Sequence, residues 1–360
     1  MREVRRTLLT GDAVGGVWRY ALVLAQGLAE RGVETMLAVL GPPPSPQQMD
    51  EAAAVPGLRV VPTGLPLDWT AVSEAELRET GAALAGMARR AGVDSVHLHT
   101  PALAAEVPWS VPVVAVAHSC VGTWWRAVRG GPMPADLAWR AAAVGRGLAE
   151  ADMAMAPTRS FALALGREYR PGRRITVIHN GTEPPTPPPA ERCAAVLSAG
   201  RLWDEGKNFA ALDRVAGQVD FPILAAGPLV GPTGARFTPA HLHWLGVLPQ
   251  ATLAHAMAQA TVFCAPSRYE PFGLAVLEAA QSGMALALAD IPVFRELWDG
   301  AALFFHPDDD AGLAEVLDRL IGRPENVAIR ARERATRYRA DTMVEAVLAA
   351  HRDLVAMRVS

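Results

Sequence analysis

Ser267-Arg268-Tyr269-Glu270-Pro271-Phe272-Gly273-Leu274-Ala275-Val276-Leu277-Glu278-Ala279-Ala280-Gln281-Ser282-Gly283 decides how this chain is read. The apolar run Thr261-Val262-Phe263-Cys264-Ala265 ahead of it reads as a buried strand, Pro266 and the polar residues as a turn, and Leu274 onward as a helix that Gly283 stops. Strand, turn and helix in that order leave backbone N–H groups at residues 272–274 without intrahelical partners. Such a helix start carries partial positive charge and binds anions, phosphate above all. Gly273 has no Cβ to keep a phosphate away. Glu278 falls about five residues into the helix, ~7.5 Å along its axis, and leans back toward the start, where a carboxylate can accept hydrogen bonds from a ribose diol. Glu270 precedes the helix and faces whatever lies beyond the phosphates. Two solvated glutamates on a surface helix are the ordinary alternative. The agreement of turn, glycine and acids favours a nucleotide sugar.

A second loop supplies matching parts. Gly200-Arg201-Leu202-Trp203-Asp204-Glu205-Gly206-Lys207-Asn208 follows a strand and leads a helix, so Arg201 and Lys207 fall at the carboxyl edge of a sheet, where α/β proteins bind ligands. Two cations there can hold a diphosphate and meet the negative charge that grows on it as a glycosyl group leaves. Taken alone, an exposed loop pair explains them equally well.

These residues resemble a known family. Glu270, Phe272, Gly273, Leu274, Glu278, Ala279 and Gly283 are similar to the Glu-x7-Glu motif of the retaining glycosyltransferases of family 4, which have the GT-B fold, and Gly200-Arg201-Leu202 with Lys207-Asn208 is similar to that family's phosphate loop. The resemblance implies that Glu270 meets the donor sugar, Glu278 the ribose, and Arg201 and Lys207 the diphosphate. It implies a hexosyltransferase-type enzyme needing no metal and no cofactor beyond its nucleoside diphosphate sugar. The reaction implied is transfer to a saccharide, lipid-linked or small-molecule hydroxyl with retention, by front-face attack in which the departing phosphate helps take the acceptor proton. Met284 stands where a proline is common, and Asp290-Ile291-Pro292-Val293-Phe294-Arg295-Glu296 replaces a Gly-Gly-containing loop, so donor identity is not implied.

The first half carries three further features. Gly15 and Gly16 in Asp12-Ala13-Val14-Gly15-Gly16-Val17-Trp18-Arg19-Tyr20 sit in the first strand-to-helix loop, and the resemblance brings their backbone N–H groups toward donor phosphates or acceptor. His118 ends the strand Val113-Val114-Ala115-Val116-Ala117, and the resemblance places it beside the donor sugar, whereas His97, His99 and His179 read as structural. Cys120-Val121-Gly122-Thr123-Trp124-Trp125-Arg126-Ala127-Val128-Arg129, with Trp139-Arg140, mixes aromatics and cations. Membrane interface, saccharide cleft and plain helix packing explain that mixture equally.

Strands and helices alternate along all 360 residues, which implies parallel sheets covered on both faces, and single cores stop growing near about 250–300 residues. The expected architecture is therefore α/β: two Rossmann-like parallel-sheet domains facing across a cleft, residues 1–181 on the acceptor side and 195–340 on the nucleotide-sugar side. A proline-rich hinge at 182–194 joins them, and the resemblance implies that a last helix at 341–360 crosses back to the first domain. Asn180-Gly181 reads as the turn that closes the first domain. Arg330, Arg332, Arg334, Arg337 and Arg339 read as a solvated face.

A net charge of −3 speaks against nucleic acid as a partner. Cys120, Cys193 and Cys264 are odd in number and lack metal-like spacing, which fits a reducing cytoplasm. The charged start breaks at Gly11-Asp12, too early for a signal peptide, and no apolar run reaches the ~18 residues of a membrane span, so membrane contact, if any, is peripheral. Two alternatives remain open: a non-catalytic sugar-nucleotide-binding subunit, and a sugar-nucleotide epimerase of the same fold.

Overall fold

The computed structural model describes residues 3–184 and 190–358. The proline-rich stretch 185–189, the middle of the expected hinge, lies outside the described residues. The chain forms two compact units, Met1–Gly181 with Ala340–Ser360, and Thr182–Arg339.

The first unit holds strands β1 (Arg6–Asp12), β2 (Glu34–Leu40), β3 (Leu58–Pro62), β4 (Ser95–Leu98), β5 (Val113–Val116), β6 (Met153–Ala156) and β7 (Thr176–Val177). They form one seven-stranded sheet in the order β3-β2-β1-β4-β5-β6-β7, and every pairing is parallel. Helices α1 (Gly16–Ala29), α2 (Pro46–Ala53), α3 (Glu74–Ala91), α4 (Val121–Val128), α5 (Ala135–Glu150) and α6 (Arg159–Tyr169) connect the strands. Local chemistry sets their ends. The Ser73 hydroxyl accepts from the Glu76 N–H to start α3, and Gly92 in the left-handed region stops it. Strand order reverses between β1 and β4, so the loops leaving β1, β4 and β5 lie at the sheet's carboxyl edge, beside the switch point.

The second unit repeats the plan with β8 (Cys193–Ala199), β9 (Ile223–Ala226), β10 (His243–Trp244), β11 (Ala260–Ala265), β12 (Ala285–Ala289) and β13 (Leu303–Phe305). They form a parallel six-stranded sheet ordered β10-β9-β8-β11-β12-β13. Its helices are α7 (Phe209–Ala216), α8 (Gln250–Gln259), α9 (Leu274–Gln281), α10 (Pro292–Trp298), α11 (Asp310–Gly322) and α12 (Glu325–Ala335). The reversal here falls between β8 and β11, and the loops leaving those two strands are the two singled out in the sequence.

The chain ends in the first unit with α13 (Ala340–Met357). Met343, Val344, Val347, Leu348 and Val355 of α13 join Leu24, Ala25 and Leu28 of α1 and Leu9 and Leu37 of the sheet in one core cluster. Fully burying each leucine contributes roughly 1.5–3 kcal/mol, so α13 is part of this unit's core and not an appendage.

Two local expectations change. The stretch Asp290–Glu296, read as a loop, contains the start of α10, because Pro292 sits at the first helical position, where its missing N–H costs nothing. The arginines of α12 are not merely solvated. Arg330 Nε donates to the Gly300 carbonyl at 2.7 Å, and Arg334 donates to the carbonyls of Leu297 and Asp299 at 3.0 and 2.9 Å. The Leu297 and Asp299 carbonyls lie at the end of α10, where a guanidinium group complements their partial negative charge.

Candidate active site

In the second unit, the loop after β8 is fastened to the turn after β11. The backbone N–H groups of Arg268 and Tyr269 both donate to the Gly206 carbonyl, at 2.9 and 3.1 Å. Asn208 stands in the left-handed region at φ 56°, and its buried amide donates to the carbonyls of Pro266 and Pro307 at 3.0 and 2.9 Å. Asp204 organises the loop from within. Its carboxylate accepts from the Gly206 N–H at 2.9 Å and from Arg201 Nη2 at 2.8 Å, while its carbonyl accepts from the Lys207 N–H at 2.8 Å. Arg201 and Lys207 therefore hang on one aspartate, which the sequence reading quoted without giving it a role. Its place three residues after Arg201 is the signal that was available.

Lys207 reaches across to Glu270, and the two form an ion pair with side chains only 18% and 13% exposed. In an environment that has shed most of its water, each charge is held by the other. Three residues on, Gly273 caps α9 at φ 90° and ψ 65°. A Cβ there would lie 3.2 Å from the Phe294 ring of α10 and 3.4 Å from Glu270 Cγ, so Glu270 lies against the helix start. The carbonyl of Gly273 accepts from the N–H groups of Val276 and Leu277, which turns the first amides of α9 outward along the axis. Phe272 is buried with its ring edge on Tyr338 at 5.8 Å between centroids, and Leu274 is the first residue of the helix. Glu278 is 6% exposed, one turn into α9, with Gln250 Nε2 donating to its Oε1 at 3.3 Å. Lys207, Glu270 and the start of α9 thus share one spot, with Arg201 joined to it through Asp204 and Glu278 buried on the same helix.

The first unit also gathers residues at its carboxyl edge. Gly15 is the N-cap of α1 and is extended at φ −155°, so left-handed geometry does not explain that glycine, and Gly16 is exposed. The Asp12 carboxylate accepts from the Val14 N–H at 2.8 Å and shapes the loop between β1 and Gly15. His118 lies two residues beyond β5, half-buried, with its ring edge on Tyr20 at 4.5 Å and on His99 at 5.1 Å between centroids. Its Nε2 is buried without a protein hydrogen bond, and burial pushes its pKa down to about 3, so the ring is neutral. His99 is 7% exposed, with neither ring nitrogen bonded to protein. Burial, and then its histidine neighbour, hold it well below the usual range. Tyr20, the other wall of this cluster, stood in the quoted first loop but was not chosen.

Two side chains of the mixed aromatic and cationic stretches make contacts within the first unit. The Cys120 thiol is buried and lies 2.9 Å from the Thr123 hydroxyl and 3.2 Å from that of Tyr169, tying α4 to α6. The Arg140 guanidinium lies 4.6 Å from the Trp139 ring centre and donates to the Ala71 carbonyl. Among the described residues no cluster of three or more His, Cys, Asp or Glu side chains is arranged to hold a metal ion. No helix among them is long and apolar enough to cross a membrane.

Comparison with known proteins agrees with this architecture. Residues 14–184 match the model of Glycosyltransferase Family 4, and residues 231–338 match that of Glycosyl transferases group 1. A segment of 104 residues is 39% identical to the phosphatidyl-myo-inositol mannosyltransferase of Mycolicibacterium smegmatis, covering 27% of this chain and 27% of that protein. The chain thus spans only about a quarter of the length of that curated relative. Among solved structures, a sucrose-phosphate synthase from Thermosynechococcus elongatus superposes with a TM-score of 0.79 at 18% identity, covering 99% of this chain and 100% of that one. The Anabaena protein Alr3699/HepE, solved in complex with UDP-glucose, superposes with a TM-score of 0.72 at 16% identity, covering 97% and 100%. The first unit is thus similar to Glycosyltransferase Family 4 and the second to Glycosyl transferases group 1, and two parallel Rossmann-like sheets, as in these solved structures, give the chain the GT-B fold.

Proposed function

We propose that this chain is a retaining glycosyltransferase that moves a hexose from a nucleoside diphosphate sugar to a hydroxyl group of a saccharide, lipid-linked or small-molecule acceptor. The observation that carries the reading is the meeting of Lys207, Glu270 and the start of α9 at the switch point of the second sheet. In this reading the diphosphate takes the helix start, where N–H groups and the helix dipole favour anions. Lys207 turns from Glu270 to the phosphate oxygens, and Arg201, held by Asp204, adds a second positive charge. Glu270, relieved of its lysine, accepts hydrogen bonds from sugar hydroxyls, and Glu278 accepts from the ribose diol.

The chemistry follows from that placement. As the bond between the anomeric carbon and the phosphate oxygen breaks, its electron pair goes to the diphosphate, and fixed cations lower the barrier by meeting charge that is already developing. The acceptor oxygen forms the new bond on the same face, and its proton passes to the departing phosphate oxygen. Gly15 and Gly16 are proposed to bring backbone N–H groups to a ligand, and neutral His118 to hydrogen-bond a sugar hydroxyl. The relatives support this direction: one is named a mannosyltransferase, and one was solved with UDP-glucose. The domain roles proposed are a donor side in the second unit and an acceptor side in the first. Residues 182–194 are proposed as the hinge.

The test begins with thermal shifts against UDP, GDP and ADP and their sugars, because a ligand bound only by the folded state raises its apparent stability. Release of nucleoside diphosphate is then measured with and without acceptor, and the anomeric configuration of the product is read by NMR. Acceptor-dependent release with retention is expected. A donor that binds but is never cleaved points to a binding subunit, and isomerisation without acceptor points to an epimerase.

A further inference from the structure

Ser95, His97 and His99 follow one another at every second residue along β4 and its end, so all three share one face of the sheet. That face is buried under α1 and α13, and its polar groups form a continuous chain. The Tyr20 hydroxyl lies 3.4 Å from His97 Nε2, His97 Nδ1 lies 3.1 Å from His351 Nε2, and His351 Nδ1 lies 2.9 Å from the Ser95 hydroxyl. Beyond it the Ser95 hydroxyl lies 3.4 Å from that of Thr7, which is 3.2 Å from the Ser95 carbonyl. All five residues are buried, Ser95 and His97 completely.

Each link holds one hydrogen, and a carbonyl can only accept, so the Thr7 hydroxyl must donate to Ser95 C=O. If every bond runs toward that carbonyl, Tyr20 donates to His97 Nε2, His97 Nδ1–H to His351 Nε2, His351 Nδ1–H to the Ser95 oxygen, and Ser95 to Thr7. Every hydrogen then has an acceptor. With the bonds from Ser95 to Tyr20 reversed, the buried Tyr20 hydroxyl hydrogen has no acceptor and no hydrogen lies between Ser95 and Thr7. A buried polar group left without a partner is costly, so the first direction prevails.

We propose that Tyr20, His97 and His351 are positioning residues for sugar transfer: a one-way hydrogen-bond chain fixes His97 and His351 as neutral Nδ1–H tautomers and pins the Tyr20 ring as the wall on which His118 rests. The role in transfer depends on the functional reading given for His118, whereas the tautomers do not. Tyr20 is suited to the part because its ring touches three imidazoles at once, with centroids 6.1 Å from His97, 5.3 Å from His99 and 4.5 Å from His118. His351 belongs to α13, so the chain is complete only when the last helix is seated, and without it His97 Nδ1–H loses its acceptor.

The experiment is histidine-labelled nitrogen NMR on the full chain at pH 7.5, paired with steady-state kinetics. Both His97 and His351 are expected as Nδ1–H tautomers, and an Nε2–H signal at either overturns the chain of bonds. Tyr20→Phe keeps the ring and removes the first donor. It is expected to lower kcat about fivefold, the factor carried by one neutral hydrogen bond of ordinary net strength, with the donor KM unchanged. His351→Leu is expected to lose at least as much, and His351→Gln, whose side-chain oxygen restores an acceptor near His97 Nδ1, to recover most of it. Wild-type kcat in Tyr20→Phe overturns the positioning role, as do equal losses in the two His351 variants, which would mark mere packing. If His351→Leu fails to fold, Tyr20→Phe still decides. A wild-type chain that binds donor but transfers nothing overturns the transferase reading and the positioning role together, and the tautomers then decide the bonding alone.

Discussion

The two units share a plan and differ in electrostatics. At the switch point of the second sheet stand charges, with Lys207 and Glu270 paired and Arg201 on Asp204, whereas the first sheet presents neutral imidazoles at the same kind of edge. On the proposed reading the charged pair is exchanged for a charged ligand, because a phosphate taking Lys207 would supply the negative charge that Glu270 gives up. A chain of neutral hydrogen bonds has no such exchange available, since each donor already has its acceptor and a proton added anywhere is desolvated. On that reading the second unit's charges are rearranged by a ligand, whereas the hydrogen-bond chain behind the first unit's edge stays as it is.

Breaking the charged side should have the largest effect. Lys207→Ala strands the largely buried Glu270 carboxylate and is expected to cost about 3 kcal/mol of unfolding free energy, the range found when one partner of a buried pair is removed. Loss of a fixed positive charge at the leaving group should also lower kcat about 100-fold or more. Urea unfolding and single-turnover assays measure the two separately. The double variant Lys207→Met/Glu270→Leu should recover the stability without recovering transfer, which separates the pair's effect on the fold from its role toward the ligand. A Lys207→Ala chain as active as wild type would remove the basis of the donor site.

Acid tests the neutral side. Burial, with smaller contributions from neighbouring histidines, holds His97 well below its ordinary value, and burial alone pushes His351 down to about 4 and His118 to about 3. Unfolded, each titrates near 6.5 and binds more protons than the folded chain below that pH. Stability is therefore full above about pH 6.5 and falls as the pH drops toward the folded-state values. Tyr20, Ser95 and His99 face these rings, and none of them supplies a negative charge that would favour an imidazolium. Between pH 6.5 and 5 exposed carboxylates are still ionised, so a fall in Tm of several degrees in that window is assigned to the histidines. A flat Tm there would mean that the cluster is open to water.

Much of the fold was legible because buried parallel strands read as unbroken apolar runs, as in Val113–Val116 and Ala285–Ala289, and because Gly273 and Gly283 punctuate α9. Glu270 and Lys207 were each legible through the local pattern around them, yet their pairing was not, since contact between positions 63 apart depends on how two loops are sewn together. The histidine chain was less legible still. His97 and His351 are 254 residues apart, and nothing near His351 distinguishes it from any other helical histidine. The start of α10 was hidden because Asp290–Glu296 was set as a whole against a loop, although Pro292 serves as a first-turn residue.

Two glycines sharpen the contrast at the level of the backbone. Gly273 occupies the left-handed region at φ 90°, with the Phe294 ring 3.2 Å from where a Cβ would stand. Gly273→Ala should therefore cost about 1–2 kcal/mol in urea unfolding from backbone strain alone, and a weaker donor Kd should accompany it. Gly15 caps α1 from an extended backbone that any residue adopts. Gly15→Ser is therefore expected to change stability by only a few tenths of a kcal/mol, in the stabilising direction, because a serine hydroxyl can accept an N–H of the first turn. Its effect on kcat/KM decides what the glycine is for. A loss of activity with unchanged or raised stability means that a ligand approaches the backbone at this loop more closely than a side chain permits, the same use of glycine proposed at α9. Unchanged activity means that Gly15 only turns the chain between β1 and α1, and confines close backbone approach to the second unit.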